Sequence, residues 1–517
     1  MIYINTDNIL FMKRLSDLLE HCNFSQIHGN TDTEITGITY DSRRCRKGCA
    51  FFAFDGIHTD GSKFIGSAVA NGASAVFVSK MPAEFIDGIT YIQVDNIRKV
   101  MSALSSALYD DPSSRLKVIG VTGTDGKSSS VFFLYQMLNM LGEKTGFLST
   151  VEYSDGNTIQ KNPYRQSTPE SSEIMMILDE MARSGCRYAA LESTSHGLSE
   201  RTMRLADVKY QAGILTNITH EHLEFHGTLE KYADDKANLF RKSSQFNVVN
   251  CSDRFAPHFM EASKVPVYGY ALYGDKGELP GGKPVLYADS IVADNSGTAF
   301  DAVYNGKNYK CRINIPGLFN VENFLGVALA LIKITGFPPE RIFSLSNELK
   351  AVKGRMEVVD MGQDFHLIVD YAHTPGAFQK LFPMMKSQTG NRLIAVFGSA
   401  GERDTEKRAI QGDLASRYSD ILILTDEDPR GEDSMRIIDD IASGVCADFD
   451  RNNLYRIPDR TEAIQKAIEL AEPGDTVLLL GKGHESTIIY SQGNIVWNER
   501  ETAEKALKAR LSSGQRK

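Results

Sequence analysis

The segment 117–131, KVIGVTGTDGKSSSV, constrains the fold of this 517-residue chain more than any other stretch. It starts as an apolar run typical of a buried parallel strand, continues through a turn with Gly123 and Gly126, and leads into residues with helical spacing. Glycine lets backbone N–H groups approach phosphate oxygens, and a helix N-terminus carries partial positive charge. The segment therefore predicts a phosphate-binding loop in which Lys127 reaches the β- and γ-phosphates and Ser128 ligates Mg²⁺.

The loop departs from the strict nucleotide-binding pattern G-x-x-x-x-G-K-[ST] at one position. The pattern requires glycine at 121, where this chain has Val121, and the glycines stand at 120 and 123 instead. A glycine turn between a strand and a helix also occurs without a nucleotide, and a bare GK[ST] is common by chance. The order strand, loop and helix favours the nucleotide site over this alternative.

Length and composition predict a multi-domain globular protein. A chain of 517 residues is too long for one hydrophobic core, and we expect three domains, at 1–112, 113–350 and 351–517. Hydrophobic residues make up 42% and charged residues 24%, as in ordinary globular domains. The formal net charge of −9 argues against nucleic acid as the main partner and makes a nucleic-acid motor the least favoured class.

Neither a membrane span nor an export signal is expected. The sequence has no run of 18 apolar residues, and its N-terminus has no basic segment followed by an apolar one. The seven cysteines are scattered, and the pair Cys45 and Cys49 has no second pair to complete a zinc site. A reducing, cytoplasmic compartment is the simplest explanation of this cysteine usage.

The N-terminal region has the pattern of a small α/β domain. We predict strands at 50–54 and 75–78, with a helix at 64–70 between them. Polar turns at Asp41–Arg44 and Asp55–Gly61 lie next to strand ends, where open α/β sheets bind ligands. Ordinary surface loops are the alternative for both turns.

Two polar clusters follow predicted strands in the central region. The first strand ends in Glu192, where a magnesium ligand of the Walker B type is expected beside a phosphate loop. The second leads to the polar stretch 219–226, in which His222 and His226 are four residues apart. The zincin sequence H-E-x-x-H is broken there by Glu224, so metal contact and plain surface exposure both remain open.

Two helices of the central region carry polar residues of interest. Lys236 lies near the middle of the helix predicted at 232–240, and a lysine in that position is usually solvated. A long apolar helix is predicted from Gly317 onwards, with Asn320 and Asn323 in its first turn. These two amides either cap the helix or bind a ligand.

The C-terminal region has the pattern of a separate doubly wound domain. Its strands are predicted at 366–370, 393–397, 421–425 and 476–480. Each strand ends at a charged or glycine-bearing turn, and helical stretches lie between the strands. Because the carboxyl ends of parallel strands meet at one edge, these turns predict a single ligand-binding edge.

Taken together, these motifs resemble those of the Mur ligases, the amide ligases of peptidoglycan synthesis. The matches run in the family's order along the whole chain: YDSR at 40–43, TGTDGKS at 122–128, STPE at 167–170, ESTSH at 192–196, EHLE at 221–224, Lys236, Asn320, GRME at 354–357, DYAH at 370–373, DPR at 428–430 and GKGHE at 481–485. Any one motif is weak, whereas the ordered set is specific. The resemblance implies an α/β protein with a small N-terminal UDP-binding α/β domain, a central P-loop ATPase-like parallel sheet and a C-terminal, Rossmann-like doubly wound domain that binds the amino acid.

The resemblance implies an ATP-dependent ligase that acts on UDP-N-acetylmuramoyl-L-alanyl-D-glutamate and a diamino acid. A carboxylate is a poor electrophile, so ATP would convert it to an acyl phosphate, which the amine then attacks. Phosphoryl transfer between two anions needs concentrated positive charge, here from Lys127 and two Mg²⁺ ions. By resemblance, Ser128, Glu192 and His222 hold magnesium, and Lys236 is carbamylated by CO₂, which gives a carboxylate able to orient a metal.

The resemblance also assigns the binding residues. For ATP they are Gly123, Thr124, Asp125, Gly126, Lys127, Ser128 and Ser129, with Asn320, Arg355, Asp370 and His373 from the neighbouring domain. For the UDP-muramyl peptide they are Ser42, Thr168, Thr194, Glu200 and Arg204, with the turn 55–61. For the diamino acid they are Arg403, Asp428, Pro429, Arg430, Gly481 and Glu485. A nucleotide bound by two domains implies closure on binding, and we expect a monomer.

The chain departs from the family pattern at two places. The family usually has Gln near Glu200, with a shorter spacing to the following Arg. Members that add meso-diaminopimelate carry Asp-Asn-Pro-Arg, where this chain has Glu427-Asp428-Pro429-Arg430. Arg430 can still pair with a carboxylate of the amino acid, whereas Asp428 adds negative charge that an amine tolerates better than a second carboxylate. This difference favours L-lysine or L-ornithine, with meso-diaminopimelate as the close alternative.

Two other classes compete with this hypothesis. Related three-domain ligases, such as folylpolyglutamate synthase or the enzyme that adds the next dipeptide, fit the DPR and GKGHE motifs less well. A regulatory ATP-binding protein without ligase activity is the rival from a different class. The intact set Lys127, Glu192, His222 and Lys236 argues against that rival.

Overall fold

The computed structural model describes residues 12–54, 60–164, 166–219, 221, 223–273, 279–294 and 296–514. These residues form two compact units. The first takes its residues from Met1–Ala271, Asp275–Val285 and Gly326–Gly336, and the second from Leu272–Gly274, Leu286–Leu325 and Phe337–Lys517. The domain boundaries predicted at 112 and 350 stay predictions.

The N-terminal part of the first unit is a small α/β sheet. Its elements are β1 (Lys13–Arg14), α1 (Leu15–Leu19), β2 (Gln26–His28), β3 (Glu34–Ile35), β4 (Gly37–Thr39), β5 (Cys49–Phe52), α2 (Ile65–Ala70), β6 (Ala73–Val78), β7 (Thr90–Gln93) and α3 (Ile97–Leu108). The sheet has the order β2-β7-β6-β5-β4, in which β4 to β7 are parallel and β2 is antiparallel. Asn96 caps α3 by accepting the N–H of Lys99, and the buried side chains of α3 recur at helical spacing from Ile97 to Leu108. The predicted strands and helix of this region are therefore present as β5, β6 and α2.

The second part of the first unit is built on a parallel sheet. Its elements are β8 (Lys117–Thr122), α4 (Lys127–Met140), β9 (Thr145–Leu148), β10 (Glu152–Ser154), β11 (Ile159–Lys161), α5 (Ser171–Arg183), β12 (Tyr188–Glu192), α6 (Ser195–Leu198), β13 (Ala212–Leu215), α7 (Leu223–His226), α8 (Leu229–Lys242), β14 (Phe246–Asn250), α9 (Ala256–Ala262) and β15 (Val267–Tyr273). Strands β9, β12, β8, β13, β14 and β15 lie side by side and parallel, and β10 and β11 extend the β9 edge antiparallel. The predicted phosphate loop follows β8, whose neighbours β12 and β13 place Glu192 and Thr216 at the same edge.

The second unit begins with an antiparallel meander, the first part of a long helix whose residues from Gly326 on belong to the first unit, and a short helix. These elements are β16 (Leu286–Asp294), β17 (Gly297–Tyr304), β18 (Lys307–Ile313), α10 (Leu318–Thr335) and α11 (Pro339–Phe343). Neither the meander nor its register was predicted. In the described part of the chain, α10 alone is long and apolar enough to cross a membrane, and 67% of it is buried inside the protein. Val321, Phe324 and Leu325 are fully buried, as in the core helix of a folded domain.

The C-terminal part of the second unit is a doubly wound sheet. Its elements are β19 (Glu357–Val358), β20 (His366–Asp370), α12 (Pro375–Gln388), β21 (Leu393–Phe397), α13 (Glu406–Tyr418), β22 (Ile421–Leu424), α14 (Ser434–Ser443), β23 (Leu454–Arg456), α15 (Arg460–Leu470), β24 (Thr476–Leu480), β25 (Thr487–Tyr490), β26 (Gly493–Val496) and α16 (Glu499–Gly514). The order is β19-β20-β24-β21-β22-β23, with β20 to β24 parallel. The four predicted strands are present.

Strand β24 sets the position of the ligand edge in this sheet. It enters the sheet last but lies between β20 and β21, so the turn after it lies between the turns that follow those strands. An open α/β sheet binds ligands at such a reversal of strand order. The sequence predicted one ligand-binding edge, and the strand order shows which turns meet at it.

Candidate active site

The phosphate loop requires glycine at two positions. Gly123 and Gly126 have φ angles of 147° and 81°, which L-residues rarely adopt. A Cβ added to Gly123 would lie 1.9 Å from the Oγ1 of Thr216, so any side chain there would clash with the adjacent strand end. Gly126 ends the turn as the N-cap of α4. Valine at position 121 lies inside β8, where the loop has not yet begun.

Hydrogen bonds fasten the loop to the segment after β13. The Thr124 N–H donates to the Asn217 carbonyl (2.7 Å), and the Asp125 N–H donates to Asn217 Oδ1 (3.1 Å). The Thr216 hydroxyl donates to the Asp125 carbonyl (2.6 Å), and Lys127 Nζ donates to the Thr124 carbonyl (2.6 Å). The first N–H groups of α4 have no intrahelical acceptor, so they are the natural donors to an anion. Sequence reasoning did not assign a role to Asn217, although it is the last residue of the strand predicted at 213–217.

Glu192 lies against the loop as the Walker B expectation requires. Its Oε2 accepts hydrogen bonds from Ser128 Oγ (2.8 Å) and the Thr150 N–H (2.9 Å), and its Oε1 accepts one from Thr150 Oγ1 (2.9 Å). The Glu192 side chain is buried at the end of β12. The sequence analysis did not predict a role for Thr150. Its position as a polar residue just after an apolar strand could have indicated one.

The donor atoms at this point suit a hard cation. The Ser128 hydroxyl and the Glu192 carboxylate supply oxygen, which Mg²⁺ prefers over nitrogen and sulfur. His222, the third predicted metal ligand, lies outside the described residues. Among the described residues, no group of three or more His, Cys, Asp or Glu side chains forms a metal cluster.

His226 occupies an inward position. Its Nδ1 lies 2.8 Å from Asp235 Oδ2, and its Nε2 lies 3.0 Å from Ser195 Oγ. Both ring nitrogens are therefore engaged by protein groups, which removes His226 as a metal ligand. The sequence left open whether this histidine binds a metal or lies exposed at the surface, and in the structure it is buried and does neither.

Lys236 is buried against the phosphate loop. It is 1% exposed, its Nζ donates to the Gly123 carbonyl (2.5 Å), and it lies 4.5 Å from the centroid of the Tyr232 ring. Burial, reinforced by the charge of Lys127, lowers the pKa of Lys236 well below its ordinary value. The expectation that a helical lysine is solvated is therefore wrong for this residue.

Three of the five residues predicted for the muramyl peptide lie together. Thr168 Oγ1 donates to the Glu192 carbonyl (3.0 Å) and accepts from Thr194 Oγ1 (2.9 Å). Arg204 Nη1 donates to the Thr168 carbonyl (3.1 Å), and its Nε donates to Glu170 Oε1 (3.0 Å). This cluster is joined directly to the strand end that carries Glu192.

The remaining residues predicted for the UDP-muramyl peptide are placed differently. Ser42 is buried in a short 3-10 turn whose neighbours Tyr40 and Arg44 both contact Glu173 Oε1 of α5, at 3.4 and 2.7 Å. Glu200 is exposed and belongs to none of the contacts that join the Thr168 cluster. In the predicted turn 55–61, residues 55–59 lie outside the described residues.

In the second unit, residues predicted to contact ATP surround the end of β20. Asp370 accepts the Met356 N–H (2.7 Å) and the Ala372 N–H (2.8 Å), and burial raises the pKa of Asp370. His373 Nδ1–H donates to the Tyr371 carbonyl (2.8 Å), and burial lowers the pKa of His373.

Two further residues predicted to contact ATP have their own partners. The Arg355 guanidinium lies 4.7 Å from the Tyr371 ring centroid. Asn320 is buried, and its amide donates to the Pro316 carbonyl (2.7 Å) at the start of α10.

Asp428 and Glu485, two of the residues predicted to bind the diamino acid, both form ion pairs with the same lysine. Lys482 is fully buried, and its Nζ lies 2.8 Å from Asp428 Oδ1 and 2.6 Å from Glu485 Oε2. Asp428 Oδ1 also accepts the Ile489 N–H (3.0 Å). Asp428 and Glu485 therefore share the single positive charge of Lys482, so the negative charge expected from Asp428 is only partly offset.

Glu427, which sequence reasoning passed over, adds another buried carboxylate at this edge. Its Oε2 is buried and has no hydrogen-bond partner in the described part of the chain. Burial raises the pKa of Glu427 to about 7, against the opposing effects of Lys407 and Lys482. A Cβ added to Gly481 would lie 3.2 Å from this oxygen, so the bare glycine keeps space beside the carboxylate.

The two predicted arginines lie on loops that are joined to each other. The Gly401 N–H donates to the Asp428 carbonyl (2.9 Å), and a Cβ on Gly401 would lie 2.1 Å from the Pro429 oxygen. Arg430 has a φ of 55°, and its Nε is buried without a partner among the described residues. Arg403 is exposed on the loop after β21. All six residues predicted for the diamino acid thus belong to the turns at the carboxyl edge of this sheet.

A buried ion pair supports this edge. Arg460 and Glu499 are both fully buried, with Nη2 and Oε1 2.6 Å apart. Arg460 also donates to the carbonyls of Asp426 (3.0 Å) and Leu480 (2.7 Å). It therefore fixes the residues just before Glu427 and Gly481.

The fold and these two clusters define a class of protein, the ATP-dependent acid–amino-acid ligases. Family models described as "Mur ligase family, catalytic domain", "Mur ligase middle domain" and "Mur ligase, glutamate ligase domain" match residues 34–109, 121–331 and 354–483. The chain belongs to the Mur ligase family, the three-domain α/β ligases of peptidoglycan synthesis. The fold class expected from the sequence is confirmed.

Individual relatives match almost the whole chain. A UDP-N-acetylmuramyl-tripeptide synthetase of Borreliella afzelii (strain PKo) is 45% identical over 506 residues, which cover 97% of this chain and 98% of that protein. A UDP-N-acetylmuramoyl-L-alanyl-D-glutamate–2,6-diaminopimelate ligase of Clostridium acetobutylicum is 34% identical over 96% of this chain and 99% of that protein. A solved structure of a ligase of that 2,6-diaminopimelate type superposes with a TM-score of 0.68 at 26% identity, covering 97% of this chain and 99% of that chain.

Proposed function

We propose that this enzyme joins a diamino acid to UDP-N-acetylmuramoyl-L-alanyl-D-glutamate at the expense of ATP, in the cytoplasm. The observation that carries the proposal is the convergence of Ser128, Glu192 and Lys236 on one glycine loop, next to the Thr168–Thr194 pair. A phosphate site beside a peptide site is what activation of a peptide carboxylate requires.

The first step takes place at the phosphate loop. A carboxylate oxygen of the dipeptide attacks the γ-phosphorus of ATP, the bond to the bridging oxygen breaks, and ADP leaves an acyl phosphate behind. Lys127 and the first N–H groups of α4 hold the phosphate oxygens and offset their charge. Magnesium, held by Ser128 and Glu192 and by His222 through the resemblance, would supply further positive charge to the phosphates.

Lys236 is suited to the carbamate that the resemblance assigns to it. Its lowered pKa increases the share of uncharged amine, and only an uncharged amine reacts with CO₂. The nitrogen forms a bond to the carbon of CO₂ and releases one proton, which converts a buried amine into an anion. Such an anion beside Gly123 could orient a cation in the loop, whereas a buried ammonium would repel one.

The second step uses the carboxyl edge of the C-terminal sheet. Arg403 and Arg430 would bind the carboxylate of the diamino acid, and Glu427 would accept its distal ammonium. The other amine attacks the acyl carbon, loses a proton and expels phosphate. A buried carboxylate with an unused oxygen suits a cation and disfavours a second carboxylate, so L-lysine and L-ornithine are proposed ahead of meso-diaminopimelate.

The proposal is tested by phosphate release from the purified enzyme. The assay contains ATP, Mg²⁺ and UDP-N-acetylmuramoyl-L-alanyl-D-glutamate, and L-lysine, L-ornithine and meso-diaminopimelate are supplied separately. We expect release with L-lysine or L-ornithine, and a product heavier by that residue in mass spectrometry. Release only with meso-diaminopimelate would overturn the choice of amino acid. Release with none of the three would overturn the proposed reaction.

A further inference from the structure

A chain of three buried side chains runs through the first unit outside the groups that the proposed reaction uses. Asp235 Oδ2 lies 2.8 Å from His226 Nδ1, and His226 Nε2 lies 3.0 Å from Ser195 Oγ. Asp235 and Ser195 are each 1% exposed and His226 is 8% exposed. At its outer end, Asp235 Oδ1 pairs with Lys231 Nζ at 3.1 Å.

The carboxylate fixes the tautomer of the histidine. Asp235 can only accept a hydrogen bond, so the Nδ1 of His226 carries the proton and its Nε2 accepts from the Ser195 hydroxyl. The same order of groups activates serine nucleophiles in hydrolases. Because Ser195 is buried, its oxygen has no access to a substrate carbonyl, and the arrangement has a positioning role instead.

The two ends of this chain meet the two substrate sites of the unit. Ser195 directly follows Thr194, whose hydroxyl contacts Thr168 and accepts the Gly197 N–H (3.1 Å). Asp235 directly precedes Lys236, whose amine donates to the Gly123 carbonyl. The hydrogen bonds of His226 are therefore a direct side-chain link between the Thr168–Thr194 pair and the helix that supports the phosphate loop.

We propose that His226 is a positioning residue for the muramyl dipeptide. Through Ser195 it holds Thr194 at a fixed distance from Lys236 and the phosphate loop, so that the bound dipeptide presents its carboxylate to the phosphate site. The inference rests on the proposed function and adds a residue to it. The inference requires that the hydrogen bond between His226 and Ser195 contributes to dipeptide binding. It also requires that ATP binds equally well without this hydrogen bond.

Direct binding tests this role. We would measure the Kd of UDP-N-acetylmuramoyl-L-alanyl-D-glutamate and of a non-hydrolysable ATP analogue by calorimetry for Ser195→Ala, His226→Asn, His226→Gln and the Ser195→Ala/His226→Asn double variant. The Asn side chain places its amide near the Nδ1 position, so it can keep the hydrogen bond to Asp235 but not the one to Ser195. The Gln side chain reaches the Nε2 position, so it can keep the hydrogen bond to Ser195. The control is His258→Gln, because His258 of α9 is partly exposed and pairs with Asp234 of α8 at 3.4 Å.

Loss of the Ser195 bond is expected to weaken dipeptide binding about tenfold, the equivalent of one hydrogen bond. Ser195→Ala, His226→Asn and their double variant should show the same loss. His226→Gln keeps the Ser195 bond and loses only the Asp235 bond, so it should bind the dipeptide more tightly than His226→Asn. His258→Gln should stay near wild type, and the Kd of the ATP analogue should be unchanged in all. Ser195→Ala removes one oxygen, so it keeps the test valid if a His226 variant fails to fold.

Two results would overturn the inference. Equal dipeptide binding by wild type, Ser195→Ala and His226→Asn would remove the positioning role. Equal weakening of dipeptide and ATP analogue would show a general structural role. If the wild-type enzyme itself does not bind the dipeptide, the proposed function fails first and the inference fails with it.

Discussion

The amine of Lys236 donates a hydrogen bond to the carbonyl of Gly123 over 2.5 Å. A helical lysine and a glycine of the phosphate loop are thus in direct contact, although 113 residues separate them in the chain. Burial lowers the pKa of this amine well below its ordinary value and so favours the uncharged form, which is the form that CO₂ modifies. Four predictions follow from this contact and from the others at the site.

Lys236→Ala should lower kcat by about 10²-fold or more, because the variant has no amine to carbamylate beside the phosphate loop. The wild-type rate should fall in CO₂-free buffer and recover when bicarbonate is added, whereas the variant should not respond. Exposed Lys264→Ala serves as the control and should keep both the rate and the bicarbonate response. If the wild-type rate did not depend on bicarbonate, this would contradict the proposal that Lys236 is carbamylated.

Glu427 should make the KM for the diamino acid depend on pH. Its pKa of about 7 means that the carboxylate form, which an ammonium requires, grows as pH rises. Between pH 6 and pH 8 the ionised fraction rises about tenfold, so KM should fall about tenfold over that range. Glu427→Gln should have a high KM without this slope.

Steady-state kinetics at fixed ATP and dipeptide would check this dependence. The neighbouring exposed Glu402→Gln should keep the wild-type slope. Persistence of the slope in Glu427→Gln would assign the titration to another group.

Arg460→Met should destabilise the C-terminal sheet by about 3–5 kcal/mol, because it leaves the buried Glu499 carboxylate unpaired. The double variant Arg460→Met/Glu499→Leu should recover much of that loss. Trp497, the single tryptophan of the sequence, donates to Glu499 Oε2 (2.7 Å), so its fluorescence reports unfolding at this place in urea. A double variant as unstable as the single one would show that the carbonyl contacts of Arg460 dominate.

Gly123→Ala should weaken ATP binding at least tenfold, about 1.4 kcal/mol, since its Cβ would clash with Thr216 and its φ of 147° would be strained. Gly66→Ala is the matched control, because a Cβ there meets no atom within 4 Å and the position is helical. Calorimetric titration with an ATP analogue compares the two. Unchanged affinity in Gly123→Ala would show that the loop can shift to accept a side chain.

The strand ends and their polar turns followed from the sequence with little error. The strands 366–370, 393–397 and 476–480 were predicted with the ends that the structure gives them, and the phosphate loop was placed between the strand and helix that enclose it. Hydrophobic periodicity and glycine positions depend on the local backbone conformation, so strands and turns can be predicted from the sequence. Thr150 and Asn217 were missed because their roles depend on which strands are neighbours.

The ion pairs at the carboxyl edge of the C-terminal sheet could not be predicted from the sequence. Asp428 looked like the residue that would set the preference for an amine, yet Lys482, 54 positions away, pairs with it, and the adjacent Glu427 has the unused oxygen. The insertion of β24 between β20 and β21 brings these residues together. No spacing rule in the chain predicts which of two neighbouring carboxylates points at a distant lysine.

The sequence by itself determined the elements, the phosphate loop, the family and the set of candidate residues, because these depend on local periodicity, glycine placement and motif order. Only the tertiary structure decided that Lys236 is buried rather than solvated and that His226 binds Asp235 and Ser195 rather than a metal. It also decided that Asp428 pairs with Lys482, whereas Glu427 has an oxygen without a partner among the described residues. The physical reason is the same in each case. The state of an ionisable side chain is set by desolvation and by partners that the fold brings from remote parts of the chain.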